Sequence, residues 1–212
     1  MSRIDAEWLS GLEEWELGAV VLNYRYFVHR FPQWLALTIG NSSDERVRQL
    51  LLPNLVEEAG TFQGAPSHLN LLDALIVSCG CELDEFTPLD STIQSEQWFY
   101  DVTHDGITEY ALAALGPGTE DVSQDFLVPF ETAIRSIYGI RADYRYFDAH
   151  RPSVEEHHGN DIRLALSLLE GSSNDPANFT NRVRTAASNA IHTHQTFWDG
   201  LRTFLRRGYI NV

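Results

Sequence analysis

The chain has few basic residues: its 212 residues contain fifteen basic and thirty acidic side chains, which gives a formal charge of −15. Nucleic-acid phosphates are bound by clustered basic residues, so this composition argues against a nucleic-acid partner. The chain also lacks any apolar run near the roughly 20 residues of a membrane-spanning helix. Its first segment, MSRIDAEWLSGLEEWELG, has neither the basic start nor the apolar centre of a signal peptide. We therefore expect a cytoplasmic protein that binds neither nucleic acid nor membrane.

Cysteine is equally scarce, with Cys79 and Cys81 forming a single C-x-C in IVSCGCELD. A disulfide between residues so close in sequence would be strained, and no second cysteine pair exists to complete a zinc site. The pair is best interpreted as two small, mostly buried residues of a cytosolic protein.

Apolar residues make up 43% of the chain, and they recur with helical rather than strand periodicity. No internal repeat or linker interrupts them, so we predict one all-α domain over residues 1–212. The pattern and its capping residues predict helices at about 5–18, 19–39, 44–60, 66–79, 91–103, 106–115, 119–139, 142–170 and 176–206.

Two histidines in FDAHRPSVEEHHGNDIRLAL, His150 and His157, are seven residues apart. On one continuous helix this step returns to the same face within about 20°. The predicted helix 142–170 would therefore direct both imidazoles to one side. His158 would then point about 100° away, as an exposed residue or one that supports a ligand.

Carboxylates and a further histidine accompany this pair. Glu58 and His68 lie in NLVEEAGTFQGAPSHLNLL, and Glu120 follows AALGPGT. A ten-residue step along a straight helix would leave Glu58 and His68 about 80° apart, but Gly64 and Pro66 can bend the chain between them. Mixed histidine and carboxylate ligands on facing helices are how helical bundles bind two iron or manganese ions.

The order of these segments, NL-x-EE-x-G, His68, ALGPGTE and His-x6-His, resembles the haem-oxygenase-like di-metal oxidases, also called iron-containing redox enzymes. The resemblance extends from about Tyr24 to Leu168. It implies an all-α bundle of about seven or more helices that binds two irons, activates O2 and oxidises amino acids, fatty acids or related small molecules. It also implies a set of iron ligands, namely Glu58, His68, Glu120, His150 and His157.

One position departs from the family pattern. The family usually has a sixth ligand, Asp or Glu, four residues after the first histidine of the last motif, and Val154 occupies that position here. Glu155 and Glu57 are the nearest candidate replacements. Because a ligand is missing, we expect the second iron to be bound more weakly than the first.

Substrate-binding candidates come from residues near the predicted ligands. Tyr24 and Phe27 belong to an aromatic stretch that could line an apolar pocket. Arg30 and Arg145 could bind a substrate carboxylate bidentately. His192 and His194, two residues apart on the last predicted helix, face opposite sides and form a poor chelate, so we predict that neither binds metal.

Three classes of function remain open from the sequence. The favoured class is a di-iron oxidase that uses O2 on an amino acid or similar small acid. Its partners would be that substrate and O2, and the sequence leaves open whether the protein forms a homodimer. Residues 19–43 contain no Asp or Glu, whereas the N-oxygenating members tend to place a carboxylate there, which favours oxidative C–C or C–H cleavage. The alternatives are a metal-independent thiaminase-type or quinone-biosynthesis-type enzyme of the same fold, and a catalytically inactive metal-binding or ligand-binding protein.

Overall fold

The structure is a computed structural model that describes residues 6–61, 63–83 and 86–206, apart from the side chains of residues 6 and 155. Within these ranges the chain forms α-helices and two short 3-10 turns, at Glu120–Val122 and Gly139–Arg141, and no strand. The α-helices are α1 (Ala6–Ser10), α2 (Glu14–Val28), α3 (Phe31–Asn41), α4 (Glu45–Ala59), α5 (His68–Ser78), α6 (Asp90–His104), α7 (Thr108–Leu115), α8 (Gln124–Tyr138), α9 (Arg145–Ala149), α10 (Pro152–Gly171) and α11 (Pro176–Arg206). The prediction of an all-α fold is confirmed.

Five of the predicted helices agree with α4, α5, α6, α7 and α11 to within two residues at each end. The predicted helices 5–18 and 19–39 are instead divided among α1, α2 and α3. Proline explains the break between α2 and α3. Pro32 has no N–H to donate to the carbonyl of Val28, where α2 ends, and it occupies the first turn of α3.

The predicted helix 142–170 is also wrong as one helix, because it divides into α9 and α10. Pro152 is the first residue of α10, and proline disfavours helical dihedral angles in the residue before it. Arg151 is accordingly extended, with φ −63° and ψ 151°. His150 lies in the turn between the two helices, so it does not share a helical face with His157.

The helices pack around an aromatic core. Trp34, Phe99, Phe130 and Phe197 are fully buried, and the rings of Trp34 and Phe99 stack with centroids 4.9 Å apart. Such pairs contribute about 0.5–1.5 kcal/mol beyond the burial of their area. α2 packs against α5, α6 and α8, while α11 packs against α6, α7 and α10. α4 packs against α5 and α10, and α5 packs against α9, which brings the segments that carry Glu58, His68 and His150 together.

Among the described residues, no helix combines the length and the apolar character needed to cross a membrane.

Candidate metal centre

Three of the predicted ligands converge in the structure. One ligand atom from each of Glu58, His68 and His150 lies within 4.8 Å of the other two. Nδ1 of His68 is 3.0 Å from Oε1 of Glu58, and the His68 and His150 rings have centroids 4.4 Å apart. Two imidazoles and one carboxylate therefore face a common point.

The loop between α4 and α5 returns His68 to Glu58. Gly60 ends α4 with a φ of +72°, a conformation that favours glycine. A Cβ on Gly60 would lie 2.6 Å from the backbone nitrogen of Ser67, so a side chain there would also clash. Ser67 then begins α5 by accepting a hydrogen bond from the backbone N–H of Asn70 at 3.1 Å. The bend expected between Glu58 and His68 is present, and at Gly60 the chain passes close to the backbone of Ser67.

The orientation of His150 is fixed by the backbone of α9. Its Nδ1 lies 2.8 Å from the carbonyl oxygen of Tyr146. A carbonyl only accepts hydrogen bonds, so Nδ1 carries the proton and Nε2 keeps a lone pair. Metal-binding histidines are usually oriented by such a hydrogen bond from the other ring nitrogen.

Glu58 is buried, with 6% of its surface exposed. Burial alone would raise its pKa, but the hydrogen bond with His68 and the electrostatic effect of the nearby imidazoles of His68, His150 and His158 lower the pKa below its usual value. The carboxylate is therefore held in its charged form away from solvent. A buried negative charge between two imidazoles is a suitable environment for a cation.

Glu120 lines the same cavity as these three residues. It begins the 3-10 turn after α7 and is 5% exposed. Two glycines let this turn lie close to its neighbours, because a Cβ would be 2.4 Å from Cγ2 of Ile162 at Gly116 and 2.5 Å from Cβ of Ala190 at Gly118. The glycines of the ALGPGTE motif thus allow α7 and the turn to approach α10 and α11.

His157 lies apart from this group. Its side chain is 66% exposed, and its Nε2 is 3.7 Å from Oδ2 of Asp161. The adjacent His158 is buried instead, at 2% exposure, with Nε2 3.0 Å from Oε2 of Glu57. The carboxylate accepts this hydrogen bond, so Nδ1 of His158 keeps a lone pair. Within the described residues this Nδ1 has no hydrogen-bond partner.

The helix break at Pro152 explains why His158 is buried and His157 is exposed. With α10 starting at residue 152, the inward face of the helix carries His158 and Gly159, while His157 faces outward. Pro152 is the sequence signal for this break, and the predicted continuous helix 142–170 did not take it into account. Val154 is partly buried one turn before His158, and the side chain of Glu155 lies outside the described residues.

The cavity beside Glu58 has a volume of about 60 Å³. Its walls are mostly apolar and include Tyr24, Phe27, Trp34, Leu72, Phe126 and Leu127. Tyr24 and Tyr146 join their hydroxyl groups at 2.9 Å on one wall. Tyr24 and Phe27 thus lie where a substrate pocket was expected.

The two arginines expected to bind substrate lie elsewhere. Arg30 pairs with Glu96 at 3.2 Å and Arg145 pairs with Asp143 at 2.5 Å, and neither lines the cavity. The side chain of Arg145 is 64% exposed. The described cavity wall contains no basic side chain other than histidine, so these two arginines do not provide a carboxylate-binding group there.

His194, which was predicted to be a bystander, is buried and lines the cavity. Burial lowers its pKa from 6.5 to about 4, so the imidazole is neutral near pH 7. The two-residue spacing of His192 and His194 bears only on chelation and does not indicate that His194 lines the cavity. The apolar periodicity of α11, which continues through Phe197 and Trp198, was the signal that one face of this helix is buried.

The donors at Glu58, His68 and His150 suit iron. Two histidines and one carboxylate with open coordination positions are the donor set of non-haem Fe(II) oxygenases. The closeness of the three ligand atoms and the charged state of the buried carboxylate both fit such an ion.

Comparison with known proteins agrees with this donor set. A family model described as iron-containing redox enzyme matches residues 19–189. A search of curated proteins finds no match. The chain belongs to the iron-containing redox enzyme family, as its motifs predicted.

Solved structures show the fold. A CADD-like protein of unknown function from Nostoc punctiforme has a TM-score of 0.75 at 21% identity, covering 92% of this chain and 84% of that one. A domain of unknown function with a haem-oxygenase-like fold from Shewanella denitrificans has a TM-score of 0.75 at 14% identity, covering 97% and 86%. A TenA homologue from Pseudomonas syringae has a TM-score of 0.73 at 11% identity, covering 93% and 84%. The predicted haem-oxygenase-like bundle is confirmed.

Proposed function

We propose that the protein is a non-haem iron oxidase that uses O2 to oxidise a small organic substrate, with C–H or C–C cleavage as the reaction. The convergence of Glu58, His68 and His150 at one side of an apolar cavity carries this proposal. Membership of the iron-containing redox enzyme family supports the metal. Bound ferrous iron would supply the electrons that reduce O2.

The first iron would be held by Glu58, His68 and His150. The carbonyl of Tyr146 accepts the hydrogen bond from Nδ1 of His150 and so orients the ring, with Nε2 as the nitrogen that would bind the metal. The apolar wall of Phe27, Leu72 and Phe126 would exclude water and hold the body of the substrate beside the metal.

We further propose a second, weaker iron position between Glu120 and His158. Glu57 accepts a hydrogen bond from the Nε2–H of His158, which leaves the buried Nδ1 available for a metal. Carboxylate–histidine–metal arrangements are a common way to orient such a ligand. His158 thus replaces His157 in the ligand set that the sequence suggested. The aliphatic Val154 adds no donor on this side, which accounts for the weaker affinity.

A substrate with a carboxylate group was expected from the sequence, but the described cavity wall contains no arginine that could bind it. A carboxylate on the substrate would therefore have to bind the metal. An uncharged substrate would need only the apolar wall and neutral hydrogen-bonding groups.

The test is anaerobic reconstitution with ferrous iron, followed by metal analysis and O2 consumption with a panel of amino acids, fatty acids, alcohols and phenols. We expect iron to bind and at least one compound to stimulate O2 uptake. His150→Ala should lose both, whereas His157→Ala, an exposed control, should lose neither. Substrate turnover in a metal-free sample would contradict the proposal and favour a thiaminase-type enzyme. Iron binding without O2 uptake for any compound would favour an inactive metal-binding protein.

A further inference from the structure

His194 lies in an aromatic enclosure on α11. Its ring centroid is 5.3 Å from those of Phe27 and Phe99 and 5.8 Å from that of Phe126. The residue is 2% exposed, yet it forms part of the cavity wall. A neutral imidazole is thus presented to the cavity from the side of α11.

The hydrogen bonds of Thr119 determine which ring nitrogen carries the proton. Oγ1 of Thr119 lies 2.9 Å from the carbonyl oxygen of Ala114 and 3.1 Å from Nε2 of His194. The carbonyl only accepts, so the single hydroxyl proton of Thr119 is donated to it. Both contacts are hydrogen bonds only if Nε2 of His194 donates to Thr119. Nδ1 of His194 therefore carries a lone pair, and no described residue donates to that nitrogen.

The character of the cavity restricts what this lone pair can meet. The chain contains no lysine, and no arginine lines the described cavity wall. The wall near His194 includes the rings of Phe27 and Phe126 and the hydroxyl of Thr119, while the carboxylates and His68 belong to the candidate metal centre. An unprotonated nitrogen in apolar surroundings selects a hydrogen-bond donor over an acceptor or an anion.

We propose, on the basis of the proposed function, that Nδ1 of His194 accepts a hydrogen bond from an uncharged O–H or N–H group of the substrate. His194 is then a substrate-binding residue, and the substrate class is a neutral hydroxyl or amino compound with an apolar or aromatic body. Phe27 and Phe126 contact that body. Thr119 is a positioning residue, because it fixes the tautomer that makes Nδ1 an acceptor.

Two substitutions separate binding of the substrate from a purely structural role. The amide of glutamine can reach the position of Nε2 and donate to Thr119, but glutamine has no acceptor at the position of Nδ1. Asparagine has an oxygen near the position of Nδ1 and is too short for Thr119. His194→Gln therefore preserves the structural bond, and His194→Asn preserves the proposed acceptor.

The experiment uses metal-free protein and two probes of similar shape, phenol and fluorobenzene, of which only phenol donates a hydrogen bond. Dissociation constants are measured by NMR titration in the wild type and both variants. We expect the preference for phenol over fluorobenzene to fall about 3- to 10-fold in His194→Gln, as for the loss of one hydrogen bond. The preference should change less than about 2-fold in His194→Asn. The ¹⁵N resonance of His194 Nδ1 should shift with phenol and stay in place with fluorobenzene.

Several results would overturn this proposal. They are a wild type that binds no phenol, an unchanged preference in His194→Gln, and a ¹⁵N spectrum in which the proton of His194 resides on Nδ1. Because no iron is present, these results do not depend on the oxidase proposal. Failure of iron binding or of O2 uptake would contradict the oxidase and leave the recognition by His194 standing.

Discussion

Nε2 of His158 lies 3.0 Å from Oε2 of Glu57, in a bond that joins α10 to α4 beside the candidate metal centre. The hydrogen bond orients a buried imidazole whose other nitrogen has no partner among the described residues. The neighbouring His157 is two-thirds exposed, and its Nε2 lies 3.7 Å from Oδ2 of Asp161 on its own helix. Two adjacent histidines therefore have different expected effects on metal binding.

The first prediction compares these two histidines. His158→Ala should remove a ligand of the weaker iron and lower the affinity of the second equivalent at least 10-fold, in the range found when a metal site loses an orienting or binding group. His157→Ala should leave both affinities within about 2-fold of the wild type, since an exposed side chain contributes little. Ferrous titration followed by calorimetry measures both. Equal losses in the two variants would show that the division between them is wrong.

The second prediction concerns Gly60. Gly60→Ala should destabilise the fold by about 2 kcal/mol or more, because a left-handed conformation costs about 1–2 kcal/mol and the new Cβ also meets the backbone of Ser67. Gly64→Ala is the matched control: its φ is +109°, but no atom lies within 4 Å of an added Cβ. Urea unfolding gives the free energies. If Gly60→Ala is no more destabilising than Gly64→Ala, the close approach does not hold the loop.

The third prediction is a dependence of stability on pH. The pKa of His194 is about 4 in the folded protein and near 6.5 when exposed, so the unfolded chain takes up a proton at this residue first as the pH falls. The loss of folding stability due to His194 is absent above about pH 6.5. It grows to about 3 kcal/mol near pH 4, at about 1.4 kcal/mol per pKa unit. His194→Phe should lack this part of the acid destabilisation. The quantity to compare is the difference between wild type and variant, because contributions from groups common to both proteins cancel in it.

Urea unfolding of wild type and His194→Phe at pH 7 and pH 4.5 gives that difference. The stability gap between the two proteins should move in favour of the variant as the pH falls. A gap that stays constant between the two pH values would mean that His194 titrates normally in the folded protein.

The fourth prediction uses the departure at Val154. Val154 lies one turn before His158 on α10, so Val154→Asp would add a carboxylate on the side of this histidine. The variant should bind the second ferrous ion more tightly, by about 10-fold or more if the added group becomes a ligand. Leu164→Asp, at a half-exposed position farther along the same helix, is the control. Two equivalents of equal affinity in the wild type would refute the asymmetric site.

Much of the fold and part of the site follow from the sequence. Helical periodicity predicted all-α structure, and the predicted helix 176–206 has the same bounds as α11. The motif order predicted that Glu58, His68 and His150 belong to one site, and the structure brings these three together. Local patterns sufficed here because helix termini and glycine-rich turns are determined mainly by nearby residues.

The errors arose where one local feature or a distant partner decided the outcome. Pro152 separated His150 from the helix of His157 and directed His158 inward instead. Arg30 was expected near the substrate, but Glu96 on α6 holds it, and no pattern within residues 19–39 reveals that partner. The burial of His194 depends on rings from α2, α6 and α8, which no spacing between two histidines can indicate.

The most direct test of the central claim is anomalous X-ray scattering at the iron edge from crystals of anaerobically reconstituted protein. We predict a strong iron peak in contact with the carboxylate of Glu58 and the imidazoles of His68 and His150, with a weaker second peak on the side of Glu120 and His158. Iron bound elsewhere, or no iron peak among Glu58, His68 and His150, would contradict the account.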